Sequence, residues 1–235
     1  MTSKYALHEH HEFVDASREA LQTASLQLAL SRLGETLATG NRRAFDLLPG
    51  SSLLRDKARA IKEATLSHLD EHLATLEKSI QARGGHVHWA EDGEEACRIA
   101  ARIARERGIR RIVKSKSMVT EEIHLNHHLE AEGLEVTETD LGEYIIQLAG
   151  ERPSHIVAPV VHKTVEEVAE VMNRKLHASE PAEAKPLAQL ARRTLCKRFE
   201  NADMGISGAN FMVAETGSIV IVSNEGNARL TTTVP

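Results

Sequence analysis

Two lysines and two serines follow one another in the run KSKS, between a short apolar run that ends at Val113 and a helical pattern that begins near Val119. Ammonium groups, hydroxyls and the N–H groups of a helix N-terminus all favour negative charge. The run therefore predicts a carboxylate or phosphate site made by Lys114, Ser115, Lys116 and Ser117. The alternative is a serine that caps the helix beside two solvated lysines, which would contribute little to folding.

Three carboxylates, Glu138, Asp140 and Glu143, lie within six residues after the apolar run Leu134–Thr137. At the end of a strand they could bind a cation, or one of them could act as a general base. Solvated acids on a turn are the alternative interpretation. Glu143 is the member that we name as a candidate catalytic residue.

Two further candidate catalytic residues, Glu215 and Glu225, lie on glycine-containing turns near the end of the sequence. The apolar runs Ala209–Ala214 and Ser218–Val222 predict adjacent strands, the second buried on both faces because Val and Ile dominate it. Glu215 and Glu225 would lie roughly 23 Å apart at opposite ends of that strand. Only one of them could then join the lysine run, although a hairpin with hydrophilic turns is an equally simple interpretation. The neighbouring residues are candidates for binding an anion: Thr216, Gly217, Asn224 and Gly226.

Composition narrows the class of protein. Hydrophobic residues make up 41% of the 235 residues, which is enough for a core, and the formal net charge is −5. An acidic balance argues against a nucleic-acid surface, and no apolar run reaches the roughly 18 residues of a membrane span. Cys97 and Cys196 are too far apart in sequence to form a ligand pair. Reduced core thiols in a cytoplasmic protein are the expectation. The histidine clusters His124/His127/His128 and His68/His72 do not predict a metal site, because a site also needs further ligands.

The first third of the sequence, residues 1–84, predicts helices and contains no chemical motif. Apolar residues recur at helical spacing in Val14–Leu37, and Gly40-Asn41 is predicted to end that helix. A second long helix is predicted from its cap at Ser52 to Arg83. This segment is expected to act as a cap or an oligomer contact.

After Gly85 short strands alternate with helices, which predicts an α/β fold with a largely parallel, doubly wound sheet. Asp92 and Thr164 are predicted helix caps, and one helix is predicted over Val119–Glu132. In such sheets ligands bind at the carboxyl ends of the strands. The predicted strands are His86–Trp89, Arg111–Val113, Leu134–Thr137 and His155–Ala158, and a later helix spans Leu187–Asn201.

Four segments together resemble the lactate-utilisation protein B family, the iron–sulfur subunit type with a LUD domain. They are IVKSKSMVTEEI (Ile112–Ile123), ETDLGEYIIQL (Glu138–Leu148), PSHIVAPVVHK (Pro153–Lys163) and GISGANFMVAETGSIVIVSNEGNARL (Gly205–Leu230). The resemblance begins near residue 50 and implies that residues 85–235 are a LUD domain, truncated at its C-terminal end. It also implies a fold similar to that of sugar-phosphate isomerases and CoA transferases.

The resemblance implies a role in growth on L-lactate. Members of the family are thought to oxidise lactate to pyruvate with two partner subunits, independently of NAD. Their downstream half contains cysteine runs spaced for [4Fe–4S] clusters. The present sequence ends at Pro235 and has only two cysteines, so no cluster and no tightly bound transition metal are expected in it. It is either a fragment or a shortened homologue, expected to be inactive by itself and to work with other lactate-utilisation subunits.

Two other classes of function remain open from the sequence. One is an isomerase-like or CoA-transferase-like enzyme acting on small organic acids or sugar phosphates. Ser223-Asn224-Glu225-Gly226 is similar to the Ser-Glu-Asn-Gly motif of CoA transferases, but Asn and Glu are exchanged. The exchange moves the carboxylate to the other face of an extended segment. The other class is a non-catalytic scaffold that binds an organic acid.

Overall fold

The computed structural model of the chain describes residues 10–151, 154, 158–223 and 225–235. The predicted strand His155–Ala158 and Asn224 therefore lie largely or wholly outside the described residues. Within the described part the predicted class is confirmed: helices precede an α/β body that contains a parallel sheet.

The helical character predicted for the first third is confirmed, but from residue 10 onward it contains four helices where two were predicted. They are α1 (His10–Gln22), α2 (Ala24–Asp46), α3 (Ser51–Ser67) and α4 (Leu69–Gln81). Their boundaries differ from the prediction, since α2 continues through Gly40 and the long helix is divided at His68. Glycine costs only about 1 kcal/mol inside a helix, so Gly40 alone does not end one. No residue of α3 is buried, and its leucines Leu53 and Leu66 are exposed.

The body begins at α5 (Gly93–Glu106), whose N-cap Asp92 accepts a hydrogen bond from the backbone N–H of Glu95 as predicted. No strand forms at His86–Trp89, where the prediction is wrong. The next elements are β1 (Arg111–Lys114), α6 (Met118–Glu122), α7 (Leu125–Ala131), β2 (Glu135–Glu138) and α8 (Leu141–Ala149). The single helix predicted over Val119–Glu132 is divided because His124 adopts φ +55°.

The second part of the body contains α9 (Val165–Leu176), α10 (Ala184–Glu200), β3 (Met204–Ile206), β4 (Phe211–Val213), β5 (Ser218–Val220) and α11 (Asn227–Thr233). The capping box predicted at Thr164 is present at the start of α9. The short helices α8 and α11 were not predicted, since each has too few residues for a clear periodic pattern.

A parallel three-stranded sheet has the order β2-β1-β3. Side chains alternate between the two faces of a strand, and β1 shows this directly. Ile112 packs in a cluster with Cys97 and Leu129 of the α5/α7 side. Val113 packs with Tyr144 and Phe199 of the α8/α10 side. The central strand is thus covered on both faces, as in a doubly wound sheet.

The strands β4 and β5 pair with each other in a separate antiparallel hairpin. The predicted adjacency is confirmed, but the prediction that the second strand is buried on both faces is wrong. Phe211, Ile219 and Val220 are all exposed. Apolar β-branched composition indicates a strand, but it does not show what covers the strand.

Candidate functional site

The carboxyl ends of the three parallel strands lie side by side. In the register of the sheet, Lys114 at the end of β1 is opposite Glu138 on one side and Ile206 on the other. The residues that follow each strand are therefore neighbours, as the rule for parallel sheets predicts. The structure brings the KSKS run together with the acidic run that begins at Glu138.

Lys114 is fully buried, which corrects the expectation of an exposed lysine. Its Nζ atom lies 2.9 Å from Glu138 Oε1 and donates a hydrogen bond of 3.1 Å to Thr120 Oγ1. A buried ammonium needs such partners because its removal from water is costly. Lys114 is thus held in place by its buried contacts, and it is not a solvent-exposed cation that can bind a ligand at the surface.

Glu138 is almost as buried as its partner, with 5% of its surface exposed. Asn126 Nδ2 donates a hydrogen bond of 2.6 Å to the same carboxylate oxygen that pairs with Lys114. The other oxygen, Oε2, is buried and has no hydrogen-bond partner among the described residues. Burial raises the pKa of Glu138, although the ammonium of Lys114 opposes the rise.

A second lysine–glutamate pair lies beside the first. Lys116 Nζ is 3.0 Å from Glu143 Oε1, and the lysine side chain is 36% exposed whereas the glutamate side chain is 3% exposed. Glu143 lies in the first turn of α8, whose N-cap Asp140 accepts hydrogen bonds from the N–H groups of Gly142 and Glu143. The helix that positions this carboxylate thus begins directly after β2.

Hydroxyl groups connect the strand ends. Ser115 Oγ donates to Ser207 Oγ at 2.8 Å, which links the residues after β1 and β3. Thr139 Oγ1 donates to the carbonyl oxygen of Lys114 at 2.9 Å. Ser117 is the N-cap of α6 and accepts from the N–H of Thr120, so the capping alternative is confirmed for this serine. Ser115 and Ser117 are both buried: Ser115 links two strand ends, and Ser117 caps α6.

Glu121 is an ionisable residue of this site that sequence reasoning missed. It is partly buried on α6, one helical turn after Ser117, and burial raises its pKa to about 7. The charge of Glu143 adds to the rise, and the charge of Lys114 opposes it. In the sequence, only its position four residues after a helix cap could have drawn attention to it. The neighbouring sequence does not show that other acids fold against it.

A cavity of about 480 Å³ opens beside these groups. Its lining includes the carboxylates of Glu121, Glu138 and Glu143 with the apolar side chains of Met118 and Ile146. A cavity of this size at the carboxyl end of a parallel sheet is suited to a small organic molecule.

The other predicted site residues lie in two different places. Glu215, Thr216 and Gly217 form the turn of the β4–β5 hairpin, against α4, where Ser79 Oγ donates to the carbonyl oxygen of Glu215 at 3.4 Å. The turn that contains Glu225 and Gly226 leads into α11, and there Asn227 Nδ2 donates to Thr139 Oγ1 at 3.3 Å. The turn at Glu225 is therefore near the strand ends, although the side chain of Glu225 is exposed.

Thiolate ligation does not fit this chain. A [4Fe–4S] cluster uses four cysteine thiolates, whereas the chain has two cysteines, Cys97 and Cys196. The Cys97 thiol is buried, and burial raises its pKa, whereas Cys196 is exposed, which corrects the expectation that both are core thiols. In the described ranges, moreover, no group of three or more His, Cys, Asp or Glu side chains is arranged to hold a metal ion. None of the helices that the structure describes is long and apolar enough to cross a membrane.

Comparison with known proteins assigns the family. The family model described as LUD domain matches residues 73–235. The chain belongs to the LUD domain family. No solved structure matches the chain.

Similar curated proteins confirm the resemblance that the sequence motifs indicated. The chain is 43% identical to lactate utilization protein B of Bacillus pumilus and 42% identical to that of Bacillus velezensis, each over 224 residues. It is 38% identical over 224 residues to the uncharacterized electron transport protein YkgF of Escherichia coli. These matches cover 95% of this chain and 47% of each relative, so the chain spans about half the length of the curated relatives that it matches.

Proposed function

We propose that this LUD domain serves an NAD-independent system that oxidises L-lactate to pyruvate, and that its site at the strand ends binds the organic acid. The relatives named lactate utilization protein B support the assignment to lactate metabolism. The location at the carboxyl ends of parallel strands supports the choice of site.

One observation favours a carboxylate ligand there. Lys116 is the charged side chain of the two ion pairs that keeps contact with solvent, since 36% of its surface is exposed. Its ammonium group can exchange part of its interaction with Glu143 for a charge-assisted hydrogen bond to a ligand carboxylate. Glu143 lines the cavity, so a ligand in the cavity would come close to this lysine.

The electrons of the oxidation are proposed to leave through other parts of the system. Conversion of lactate to pyruvate releases two electrons and two protons, and iron–sulfur clusters of partner subunits or of the longer relatives would accept the electrons. The E. coli relative is named an electron transport protein, which supports this direction. Within this system, the proposed role of the present chain is to bind and orient the acid.

A binding and growth experiment tests the proposal. L-Lactate binding to the chain should be measured by calorimetry, and growth on lactate should be measured with the substitution placed in a full-length protein. Lys116→Ala should weaken lactate binding at least tenfold and slow growth on lactate, since it removes the accessible cation of the site. Lys62→Ala, on the exposed surface of α3, is the matched control and should leave both unchanged. A Lys116→Ala variant that binds lactate with the same affinity as the unmodified chain would overturn the proposed site.

A further inference from the structure

A second cavity lies between the parallel sheet and α10. Its volume is about 430 Å³, and it extends along β1 and β2 from their first residues, Arg111 and Glu135. No described residue lines both this cavity and the one beside Glu143. The second cavity is therefore separate from the proposed organic-acid site.

The helix α10 presents a polar face to the second cavity. The residues of this face recur at helical spacing, so they lie on one side of the helix. They are Thr194, Lys197 and Arg198, followed by Asn201 directly after the helix. The neighbouring face of α10 packs in the core, where Leu195 and Phe199 contact Val113 of β1. The core contacts of α10 thus hold its polar side chains in place above the edge of the sheet.

Cationic side chains predominate among the described residues that line the second cavity. Arg198 forms an ion pair with Glu135, the carboxylate of the lining. Arg111 Nη2 lies 3.0 Å from Oδ1 of Asp203, a residue that does not line the cavity. Lys197 is exposed and makes no ion pair with any described residue. The cations therefore exceed the carboxylate in this lining, which favours an anionic ligand.

Thr137 of β2 adds a hydroxyl group to the lining. Its register partner is Val113, which faces α10, and only 7% of the surface of Thr137 is exposed. Its hydroxyl makes no hydrogen bond to any described residue, although the residue lines the second cavity. A largely buried hydroxyl without a partner is unfavourable. A ligand in the cavity that accepts a hydrogen bond from this hydroxyl would remove that cost.

We propose that the second cavity binds the phosphate group of a small phosphorylated molecule. A lysine ammonium and an arginine guanidinium are common donors to phosphate oxygens. Arg198 has five N–H donors, so its pair with Glu135 leaves others for a ligand. A tetrahedral phosphate presents oxygens in several directions and can accept from Lys197, Arg198 and Thr137 together, whereas the two oxygens of a carboxylate lie in one plane. This site is independent of the proposed function.

The test is an amide NMR titration of the full chain with inorganic phosphate, at a constant ionic strength of about 0.15 M that screens weak surface attraction. The amide signals of Thr137 and Lys197 should shift together and reach saturation. Acetate should bind several-fold more weakly, because it has fewer oxygens for the same donors. Saturating L-lactate should leave the phosphate affinity unchanged, because the two cavities are separate.

Two variants separate the contributions to phosphate binding. Lys197→Ala should weaken it about tenfold, the loss expected for one charge-assisted hydrogen bond. Lys185→Ala is the matched control, because Lys185 is exposed at the other end of α10 and does not line the cavity. Thr137→Val should weaken phosphate binding about fivefold. The midpoint of its urea unfolding should be unchanged or higher, because the variant removes a buried hydroxyl that has no partner within the described part of the chain.

Each other outcome contradicts the inference in a different way. No saturable shift with phosphate would overturn the second site and leave the proposed organic-acid site untouched. Equal losses of affinity in Lys197→Ala and Lys185→Ala would show only a general attraction of anions. Displacement of phosphate by L-lactate would place both ligands in one cavity, and acetate binding as tight as phosphate binding would overturn the choice of phosphate.

Discussion

Lys114 and Glu138 are register partners on adjacent parallel strands, and their side chains form an ion pair of 2.9 Å that is almost completely shielded from solvent. Twenty-three residues separate them in sequence, and α6 and α7 lie between. The pair fixes the ends of β1 and β2 at the position where the cavity begins. It therefore links the fold of the sheet to the shape of the candidate site.

We expect Lys114→Met to destabilise the protein by about 3–5 kcal/mol. The substitution leaves the carboxylate of Glu138 buried without its ammonium partner, and breaking a buried pair on one side costs about that much. Urea unfolding at pH 7.5 measures the effect. The double variant Lys114→Met/Glu138→Leu removes both charges, so it should be more stable than the single variant. A single variant that loses less than 1 kcal/mol would show that Glu138 finds another way to be neutralised.

The stability contribution of Glu121 should depend on pH in a defined direction. Its pKa is raised to about 7 in the folded protein from a reference value of 4.5. The folded state thus binds its proton more tightly, and the contribution is fully present below pH 4.5 and is lost as pH rises through 7. Glu121→Gln removes this dependence, so the variant should gain stability relative to the unmodified chain between pH 5 and pH 8.

Urea unfolding of both proteins at pH 5 and pH 8 measures this difference. Glu106→Gln serves as the control because that exposed side chain lies outside the cavity, and its stability relative to the unmodified chain should be the same at both pH values. A Glu121→Gln variant with that same constant difference would contradict the prediction.

Substitution of two glycines with positive φ distinguishes the energetic cost of backbone strain from that of steric crowding. Gly217 has φ +67°, and a Cβ atom there would lie 2.8 Å from the backbone nitrogen of Ile80 in α4. Gly226 has φ +76°, and nothing lies within 4 Å of its Cβ position. Gly226→Ala should cost about 1–2 kcal/mol through conformation alone, whereas Gly217→Ala should cost about 1–3 kcal/mol more because the hairpin must move away from α4. Thermal unfolding of the two variants measures these costs. An equal loss of stability in both variants would refute a tight contact between the hairpin and α4.

The sequence was sufficient to locate the strand ends and their charged residues, because alternating strands and helices imply a parallel sheet and such sheets bind ligands at one edge. It was insufficient to show the burial of Lys114. Lysine is rarely buried without a partner, and the partner Glu138 is contributed by another strand. Glu121 was missed for the same physical reason, since its pKa is raised by burial and by the charge of Glu143, which only the folded chain provides.

Gly205 in β3 is predicted to tolerate no side chain. A Cβ atom there would overlap the carbonyl oxygen of Thr231 in α11, so the helix packs directly on the strand. Gly205→Ala should destabilise by about 1–3 kcal/mol or more through overpacking. Gly34→Ala in the interior of α2 is the opposite case, since its Cβ position is open, and it should stabilise by about 0.5–1 kcal/mol. Urea unfolding decides both, and a neutral Gly205→Ala would contradict the close packing of α11 on β3.

The last prediction ranks the three glutamates that the sequence named as candidate catalytic residues. Glu143 is buried in the cluster and paired with Lys116, whereas Glu215 lies exposed on a hairpin turn against α4. Glu225 is also exposed, but Asn227 two residues later contacts Thr139 at the strand ends. Placed in a full-length protein, Glu143→Gln should slow growth on lactate the most, since it removes the charge that orients Lys116.

Glu225→Gln should have a smaller effect on growth, and Glu215→Gln should have none, since Glu215 is exposed and does not line the cavity. Growth on a carbon source other than lactate, together with urea unfolding, controls for loss of folding. If Glu215→Gln abolished growth on lactate while the protein remained as stable as before, the chemistry would have to be assigned to the hairpin turn. If all three variants grew equally on lactate, the charges of these glutamates would be unnecessary for the reaction, and the ammonium of Lys116 would have to receive the acid without them.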